Sequence, residues 1–179
     1  MSVVIELPPQ RNQIAFNEKR WGEIMSDSEI AELEQRIETD RFGHVIMSPY
    51  AGGWHGAMEM RIGILLENKL GGGTPVAECP ISTSDGVKLA DVGWYSANRF
   101  EEVKESLAFP IAPEICIEVL SPSNSPAEME MKRRLYHEAG CLEFWTCDQG
   151  GTVLFLDAEN GKALSQSRIC PDFPDSISI

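Results

Sequence analysis

The order of helix and strand patterns along the chain predicts a mixed α/β or α+β fold, with a single sheet flanked by helices in one domain. Two strand patterns flank a clear hairpin turn at Ser84–Gly86. Ile115–Leu120 is apolar at five of its six positions, which is typical of a strand buried on both faces. The length of 179 residues suffices for one domain with a substantial core.

The N-terminal region is predicted to contain an arm, a helix and a short strand. Residues 1–17 show no clear periodicity and are expected to be irregular. Ser26 or Ser28 is a suitable cap for a helix that runs to about Glu38. A short strand, Val45–Met47, is expected to end at the following proline.

The central region is predicted to form a helix and a hairpin. Apolar residues at helical spacing indicate a helix over Trp54–Lys69, and the glycines Gly71–Gly73 are suited to ending it. These glycines do not indicate a phosphate-binding loop, because no suitably placed lysine follows them. The strands Val76–Thr83 and Val87–Tyr95 form the hairpin, and a longer polar connection leads from it to the Ile115–Leu120 strand.

The C-terminal region is predicted to add one helix and further strands. A helix is expected over Pro126–Ala139, with Gly140 at its end. Cys141–Cys147 and Val153–Asp157 have strand patterns. A last strand pair is expected to turn at Asn160–Gly161.

The composition restricts the location and the partners of the protein. The net charge is −13, which opposes nucleic-acid binding at long range and requires that any such binding use a local site. From Asp27 to Asp40 there are six acids and one base, whereas Lys132–Arg134 is the only run of three bases. The sequence shows neither a secretion signal nor an apolar stretch of about 18 residues, so no membrane span is expected. The odd cysteine count without a C-x-x-C pair favours reduced thiols and a cytoplasmic protein.

Glu118 is the most informative residue, because it lies inside the apolar Ile115–Leu120 strand. An unpaired buried carboxylate costs several kcal/mol or takes up a proton. The sequence therefore requires a cation, a metal or a proton close to Glu118.

Lys132 is a second charged residue in an apolar setting. On a helical wheel it falls within the arc of the apolar side chains of its helix, whereas Arg133 and Arg134 fall on the opposite side. The alternative is a surface pair with Glu128 at i, i+4, with the lysine head extending to solvent.

Asp91 is a third candidate, because aspartate is depleted in strands and here interrupts a largely apolar one. The alternative is an outward-facing or edge position. Together, Asp91 and Glu118 place two carboxylates on strands of one sheet, which suits Mg²⁺ or Mn²⁺, and Lys132 would lie near a phosphate under attack. A metal-free network in which Lys132 pairs with Glu118 is the competing interpretation.

These residues resemble the Uma-type putative restriction endonuclease family of the PD-(D/E)XK nuclease superfamily. The resemblance spans roughly residues 38–179. The matching segments are Ala90-Asp91-Val92, Ile117–Ser123, Lys132 with Tyr136, Gly140, and Phe144-Trp145 followed by Asp148.

The resemblance implies a restriction-endonuclease-like mixed sheet and a set of site residues. Asp91 and Glu118 would bind Mg²⁺ or Mn²⁺, and Lys132 would replace the superfamily lysine whose position is occupied here by Leu120. Glu38 loosely matches an early glutamate of the family and His55 a histidine of its first core helix. Solvent exposure for Glu38 and a capping or packing role for His55 are the alternatives.

The resemblance also implies the function. We expect a metal-dependent endonuclease that hydrolyses phosphodiester bonds of nucleic acid, with DNA as the substrate. Residues 1–37 would form the arm and acidic helix, and residues 38–179 the endonuclease-like domain. A homodimer would suit the cutting of two strands. The alternative is a catalytically inactive nuclease-like module with a binding or regulatory role, which the acidic charge favours.

Overall fold

The computed structural model of the protein describes residues 12–49 and 52–178. The helices of the described residues are α1 (Gln13–Met25), α2 (Ser28–Ala31), α3 (Gly53–Leu70), α4 (Ala97–Val103) and α5 (Pro126–Glu138). The strands are β1 (Gln35–Thr39), β2 (Val45–Pro49), β3 (Gly73–Thr83), β4 (Gly86–Ser96), β5 (Ile115–Val119), β6 (Glu143–Cys147) and β7 (Val153–Asp157).

The main sheet has the strand order β3-β4-β5-β6-β7. Neighbouring strands are antiparallel except for β5 and β6, which are parallel and are joined by the crossover through α5. The strands β1 and β2 form a separate antiparallel hairpin. The predicted mixed sheet flanked by helices is therefore confirmed.

Helices cover the main sheet and bury its central strand. The α3 residues Met58, Ile62 and Leu66 belong to one apolar cluster with the core of the sheet. On α5, Tyr136 belongs to a second cluster. Every residue of β5 is buried, as the apolar run predicts, and Glu118 is buried with them.

The predicted acidic helix ending near Glu38 is wrong. Asp27 caps a single helical turn, α2, and Glu34 then adopts a positive φ of 46°, which breaks the helical path. The next residues form β1, where Ile37 and Thr39 are buried on one side of an alternating strand. Of the three apolar residues at helical spacing, Ile30 lies in α2, Leu33 lies between the two elements and only Ile37 lies in β1.

Three further expectations differ from the structure. Residues 1–11 of the predicted irregular arm lie outside the described residues, but Asn12 caps helix α1 and Trp21 of that helix is buried. The predicted polar connection contains α4. The predicted C-terminal strand pair is reduced to one isolated bridge between Leu156 and Ala163.

The strand β1 is attached to β4 largely through side chains. Thr39 Oγ1 accepts from the Val87 N–H at 2.8 Å, and the Lys88 ammonium donates to the Thr39 carbonyl at 2.8 Å. Glu38 Oε1 accepts from the Leu89 N–H at 2.9 Å. These bonds place β1 beside the first half of β4, next to the three predicted site residues.

Gly86→Ala is expected to destabilise the protein by about 2–3 kcal/mol. Gly86 has a φ of +88°, and a Cβ there would lie 2.4 Å from the carbonyl oxygens of Thr39 and Asp40. Urea unfolding should show a lower midpoint with an unchanged m-value. Gly56→Ala is the matched control, because no atom lies within 4 Å of that Cβ and helix α3 should gain up to about 1 kcal/mol. Equal effects of both changes would contradict this account.

Candidate active site

Three carboxylates occupy one row across adjacent strands of the main sheet. The β4–β5 ladder ends at the pair Val92–Ile117, so the next positions in register are Asp91 and Glu118. On the other side of β4, the register of β3 places Glu78 opposite Asp91. Carboxylates at opposed positions repel one another, so this row requires positive charge nearby.

The backbone departs from regular pairing at this row. Glu78 has a φ of 47°, in the left-handed region that costs a residue with a side chain roughly 1–2 kcal/mol. The Val119 N–H donates to a side-chain oxygen, Asp91 Oδ2, at 2.6 Å. Local strain of this kind is concentrated at functional sites in proteins, and it makes the row a candidate for one.

Asp91 is 1% exposed, and both of its oxygens have charged neighbours. Oδ1 lies 2.6 Å from Arg36 Nη1, and Oδ2 lies 3.2 Å from His55 Nε2. Burial opposes ionisation, but His55 and Arg36 outweigh it and hold the pKa of Asp91 below its usual value. Asp91 is therefore a carboxylate, the form that binds metals. The alternative of an outward-facing or edge position is wrong.

Glu118 is 3% exposed and has two partners on helix α5. Its Oε2 accepts from Lys132 Nζ at 3.0 Å, and its Oε1 accepts from the Tyr136 hydroxyl at 2.9 Å. Burial raises the pKa of Glu118 to about 7, although the attraction of Lys132 opposes that shift. The nearest cation to Glu118 in the structure is thus Lys132.

Lys132 points into the protein, which confirms the helical-wheel prediction. Its side chain is 6% exposed, and Nζ lies 3.4 Å from Glu38 Oε1. The predicted pair with Glu128 is wrong, because the Glu128 carboxylate accepts from the Ser125 N–H in a capping box at the start of α5. The lysine therefore belongs to the buried row and not to the surface of its helix.

One backbone carbonyl collects donors from two separate elements. Leu89 O accepts from Arg36 Nη2 at 2.9 Å and from Lys132 Nζ at 3.1 Å. The Tyr136 hydroxyl lies 2.9 Å from this carbonyl and shares its one proton between the carbonyl and Glu118 Oε1. Arg36 comes from β1, whereas the other two come from α5. The peptide after Leu89 therefore fixes β1 and α5 relative to β4.

Asp91, Glu118 and Lys132 line one cleft with a volume of about 510 Å³. The Ser121–Asn124 loop, which follows β5, forms part of its wall. Further charged or titratable residues that line it are Arg36, Glu38, His55, Glu78 and Glu128. The structure thus brings together all three predicted site residues, as well as Glu38 and His55, in a space that a substrate group can enter.

His55, Glu59 and Asp91 provide a test of whether a metal fits. One nitrogen and two oxygens of these residues lie within 4.8 Å of one another. His55 Nε2 is 2.9 Å from Glu59 Oε1, yet these two atoms and Asp91 Oδ1 are buried without a partner in hydrogen-bonding geometry. Such atoms are rare in proteins, and here three lie together. A set of ligand atoms made up mainly of carboxylate oxygens suits Mg²⁺ or Mn²⁺.

The protonation of His55 bears on this test. Its contacts with Asp91 and Glu59 raise the pKa of His55 to about 9, so the ring carries a proton at neutral pH. Ligation of a metal through Nε2 would displace that proton. A capping or packing role alone does not describe His55, since its ring contacts two carboxylates of the site.

Negative charge is in excess around the cleft. A network made of two groups of ion pairs, which meet at the Leu89 carbonyl, contains five carboxylates, two permanent cations and one histidine. The carboxylates belong to Glu38, Glu59, Glu78, Asp91 and Glu118, and the cations to Arg36 and Lys132. Even with His55 protonated, the network attracts a further cation.

Sequence reasoning missed three residues of this network. Arg36 is the single base in the acidic Asp27–Asp40 segment, which is a usable signal. Glu78 interrupts a predicted strand in the same way as Asp91. Glu59 follows His55 by one helical turn, the spacing at which two side chains of one helix meet.

The fold and the site together define a nuclease-like protein, and comparison with known families agrees. A family model described as Uma2, putative restriction endonuclease, matches residues 26–178. The chain belongs to this family, and the resemblance predicted from the sequence is confirmed. The family match supports assignment of the chain as a nuclease.

A solved structure shows the same fold. The crystal structure of a putative nuclease belonging to DUF820 from Anabaena variabilis ATCC 29413 has a TM-score of 0.64 and 17% sequence identity, covering 78% of this chain and 86% of that one. No curated protein matches the chain. In the part of the chain that the structure describes, no helix combines the length and apolar character needed to cross a bilayer.

Proposed function

We propose that the protein is a metal-dependent endonuclease that hydrolyses phosphodiester bonds of DNA. The observation that carries the proposal is the position of Asp91, Glu118 and Lys132 in one cleft beside an excess of carboxylates. Asp91 and Glu118 would hold Mg²⁺ or Mn²⁺. When bound, the metal supplies a water of lowered pKa and neutralises charge on the scissile phosphate.

Lys132 has a distinct role in this proposal. Burial opposes its charge, but Glu118 and Glu38 outweigh burial and raise the pKa of Lys132 above its usual range. The side chain therefore acts as a cation and hydrogen-bond donor and not as a general base. It would stabilise negative charge that develops on the phosphate or orient the attacking water.

Tyr136 and the neighbouring carbonyl orient these groups. The tyrosine hydroxyl contacts both Glu118 Oε1 and Leu89 O, each at 2.9 Å. It thereby helps to fix the Glu118 carboxylate, whose other oxygen accepts from Lys132 of the same helix. Supporting hydrogen bonds of this kind hold ligands in the orientation that a metal requires.

DNA is the favoured substrate because the family is described as one of restriction endonucleases. The overall charge of −13 makes a metal necessary for a phosphate to approach this acidic cleft. We also propose a homodimer, since two copies of the site suit the cutting of both strands. Light scattering of the purified protein would report that oligomeric state.

The activity is tested by incubating supercoiled plasmid, single-stranded DNA and RNA with the protein. Nicked or linear plasmid should appear with Mg²⁺ or Mn²⁺, disappear with EDTA and return when metal is added in excess. Asp172→Asn is a suitable control, because Asp172 is an exposed carboxylate outside the network and its loss should leave cleavage unchanged. If the clean protein cuts none of the three substrates, the nuclease proposal fails.

The catalytically inactive module remains a second candidate, and one observation favours it. Glu118 is paired with Lys132 at 3.0 Å and Asp91 with Arg36 at 2.6 Å, so the two carboxylates have counter-ions without a metal. Calorimetric titration with Mn²⁺ separates the two candidates. If the protein is an inactive module, the wild type and Asp91→Ala should both give negligible heat at millimolar Mn²⁺. If it is a nuclease, the wild type should bind Mn²⁺ and Asp91→Ala should not.

A further inference from the structure

Arg36 lies against the Asp91 oxygen that is most available to a metal. Asp91 Oδ2 accepts from the Val119 N–H at 2.6 Å and lies 3.2 Å from His55 Nε2. Oδ1 has one close charged neighbour, Arg36 Nη1 at 2.6 Å. A cation that binds Asp91 through Oδ1 therefore meets the guanidinium directly.

The guanidinium is held to its carboxylate partners by charge more than by aligned hydrogen bonds. Arg36 Nε lies 3.1 Å from Glu78 Oε2, but both atoms and Asp91 Oδ1 lack a partner in hydrogen-bonding geometry. The aligned bond of Arg36 goes to the Leu89 carbonyl at 2.9 Å. Contacts held mainly by charge are those that a cation of higher charge can replace.

Arg36 cannot yield to a metal by losing its proton. An arginine guanidinium stays protonated throughout the pH range in which proteins are folded. A divalent cation at Asp91 therefore faces a permanent positive charge, and the two repel. Either Arg36 moves or the metal binds weakly.

Arg36 and one of its carboxylate partners border the cleft. Its side chain is 15% exposed and lines the cleft, and the side chain of its other partner, Glu78, is 39% exposed. Rotation away from Asp91 would keep the contact with Glu78 and turn the guanidinium towards the cleft. A planar guanidinium with several N–H donors matches the oxygens of a phosphate.

We propose that Arg36 competes with the metal for Asp91 and, once displaced, binds a phosphate of the nucleic-acid substrate in the cleft. This inference rests on the proposed metal-dependent nuclease function. Arg36 thereby balances the charge of Asp91 before the metal arrives and becomes a substrate contact afterwards. Metal binding and substrate binding are thus coupled through one side chain.

The test is Arg36→Met, which keeps much of the length of the side chain and removes its charge. Mn²⁺ affinity, measured by calorimetry without nucleic acid, should rise on the order of tenfold because the competing charge is gone. Plasmid cleavage at saturating Mn²⁺ should fall on the order of a hundredfold because the phosphate contact is lost. Arg36→Lys retains the charge, so its Mn²⁺ affinity should remain within about threefold of the wild type.

A merely structural role for Arg36 would lower Mn²⁺ affinity and cleavage together. Suppose that the wild type binds Mn²⁺ and cuts, but that folded Arg36→Met binds Mn²⁺ no more tightly than the wild type does. That result overturns the proposed competition between Arg36 and the metal, and it leaves the nuclease proposal intact. Stronger binding with undiminished cleavage overturns the phosphate contact. Wild type that neither binds Mn²⁺ nor cuts overturns the nuclease proposal itself.

A measurement on the wild type keeps the inference testable if Arg36→Met does not fold. The ¹⁵N resonance of the Arg36 side chain should shift when saturating Mg²⁺ is added, because the guanidinium leaves Asp91. Arg61, an exposed arginine outside the network, should not shift and serves as the control. If the Arg36 resonance does not shift at saturating Mg²⁺, the proposed competition between Arg36 and the metal for Asp91 is overturned.

Discussion

Replacement of Lys132 by methionine is expected to lower the free energy of unfolding by about 3–5 kcal/mol, because it leaves the buried Glu118 carboxylate without its nearest cation. Glu118 is 3% exposed, so solvent does little to compensate its charge. Urea denaturation at neutral pH measures this effect through the shift of the midpoint. Cleavage should fall by at least about a hundredfold, since the cation proposed to stabilise charge on the phosphate is gone.

A double substitution separates the two effects of Lys132. Glu118→Gln combined with Lys132→Met removes both charges, so much of the lost stability should return, whereas cleavage should remain absent. Arg134→Met is the matched control, because Arg134 is an exposed base on the same helix and its loss should change stability by at most about 0.5 kcal/mol. A double variant as unstable as Lys132→Met alone would show that the Glu118–Lys132 pair is not the source of the effect.

Asp91→Asn is expected to abolish cleavage, with a loss of about a thousandfold or more, equivalent to about 4 kcal/mol of transition-state stabilisation. Asparagine preserves the shape of the side chain but removes the charge that a divalent metal requires. Affinity for Mn²⁺ should fall by more than about tenfold in calorimetry. The reason is that Asp91 belongs both to the carboxylate row and to the His55–Glu59 group.

The matched control for Asp91→Asn is Asp172→Asn, which changes an exposed carboxylate near the C-terminal end of the sequence. Its Mn²⁺ affinity and cleavage should equal those of the wild type. Wild-type Mn²⁺ affinity in Asp91→Asn would remove this residue from the ligand set. Retained cleavage with lost metal binding would contradict metal dependence itself.

Much of the fold could be predicted because its central elements carry strong local patterns. The apolar run of β5, the Ser84–Gly86 turn and the periodicity of α3 and α5 each depend on a few neighbouring residues. The inward orientation of the Lys132 side chain was predicted from the same periodicity of α5. Arg133 shows the limit of that reasoning, since it was placed on the polar side but is 5% exposed and bonds the Glu159 carbonyl at 3.1 Å.

The parts that could not be predicted depend on contacts between distant segments. The strand β1 is short and lies in an acidic segment, and what marks it as part of the site is that Thr39 and Glu38 bond to β4. Arg36 gives no local sign that it reaches Asp91. The sequence thus indicated the candidate site residues on β4, β5 and α5, whereas the cations and carboxylates that surround them required the tertiary structure.

The Leu89 carbonyl, which accepts bonds from β1 and from α5, has a consequence for synthesis of the protein. A chain growing on the ribosome can place Arg36 against β4 early, but Lys132 and Tyr136 arrive only after β5 has been made. No chain that ends before Tyr136 contains all the donors that meet at this peptide. If the protein cuts DNA as proposed, a nascent chain without α5 is inert, and the activity begins only after α5 has folded onto the sheet.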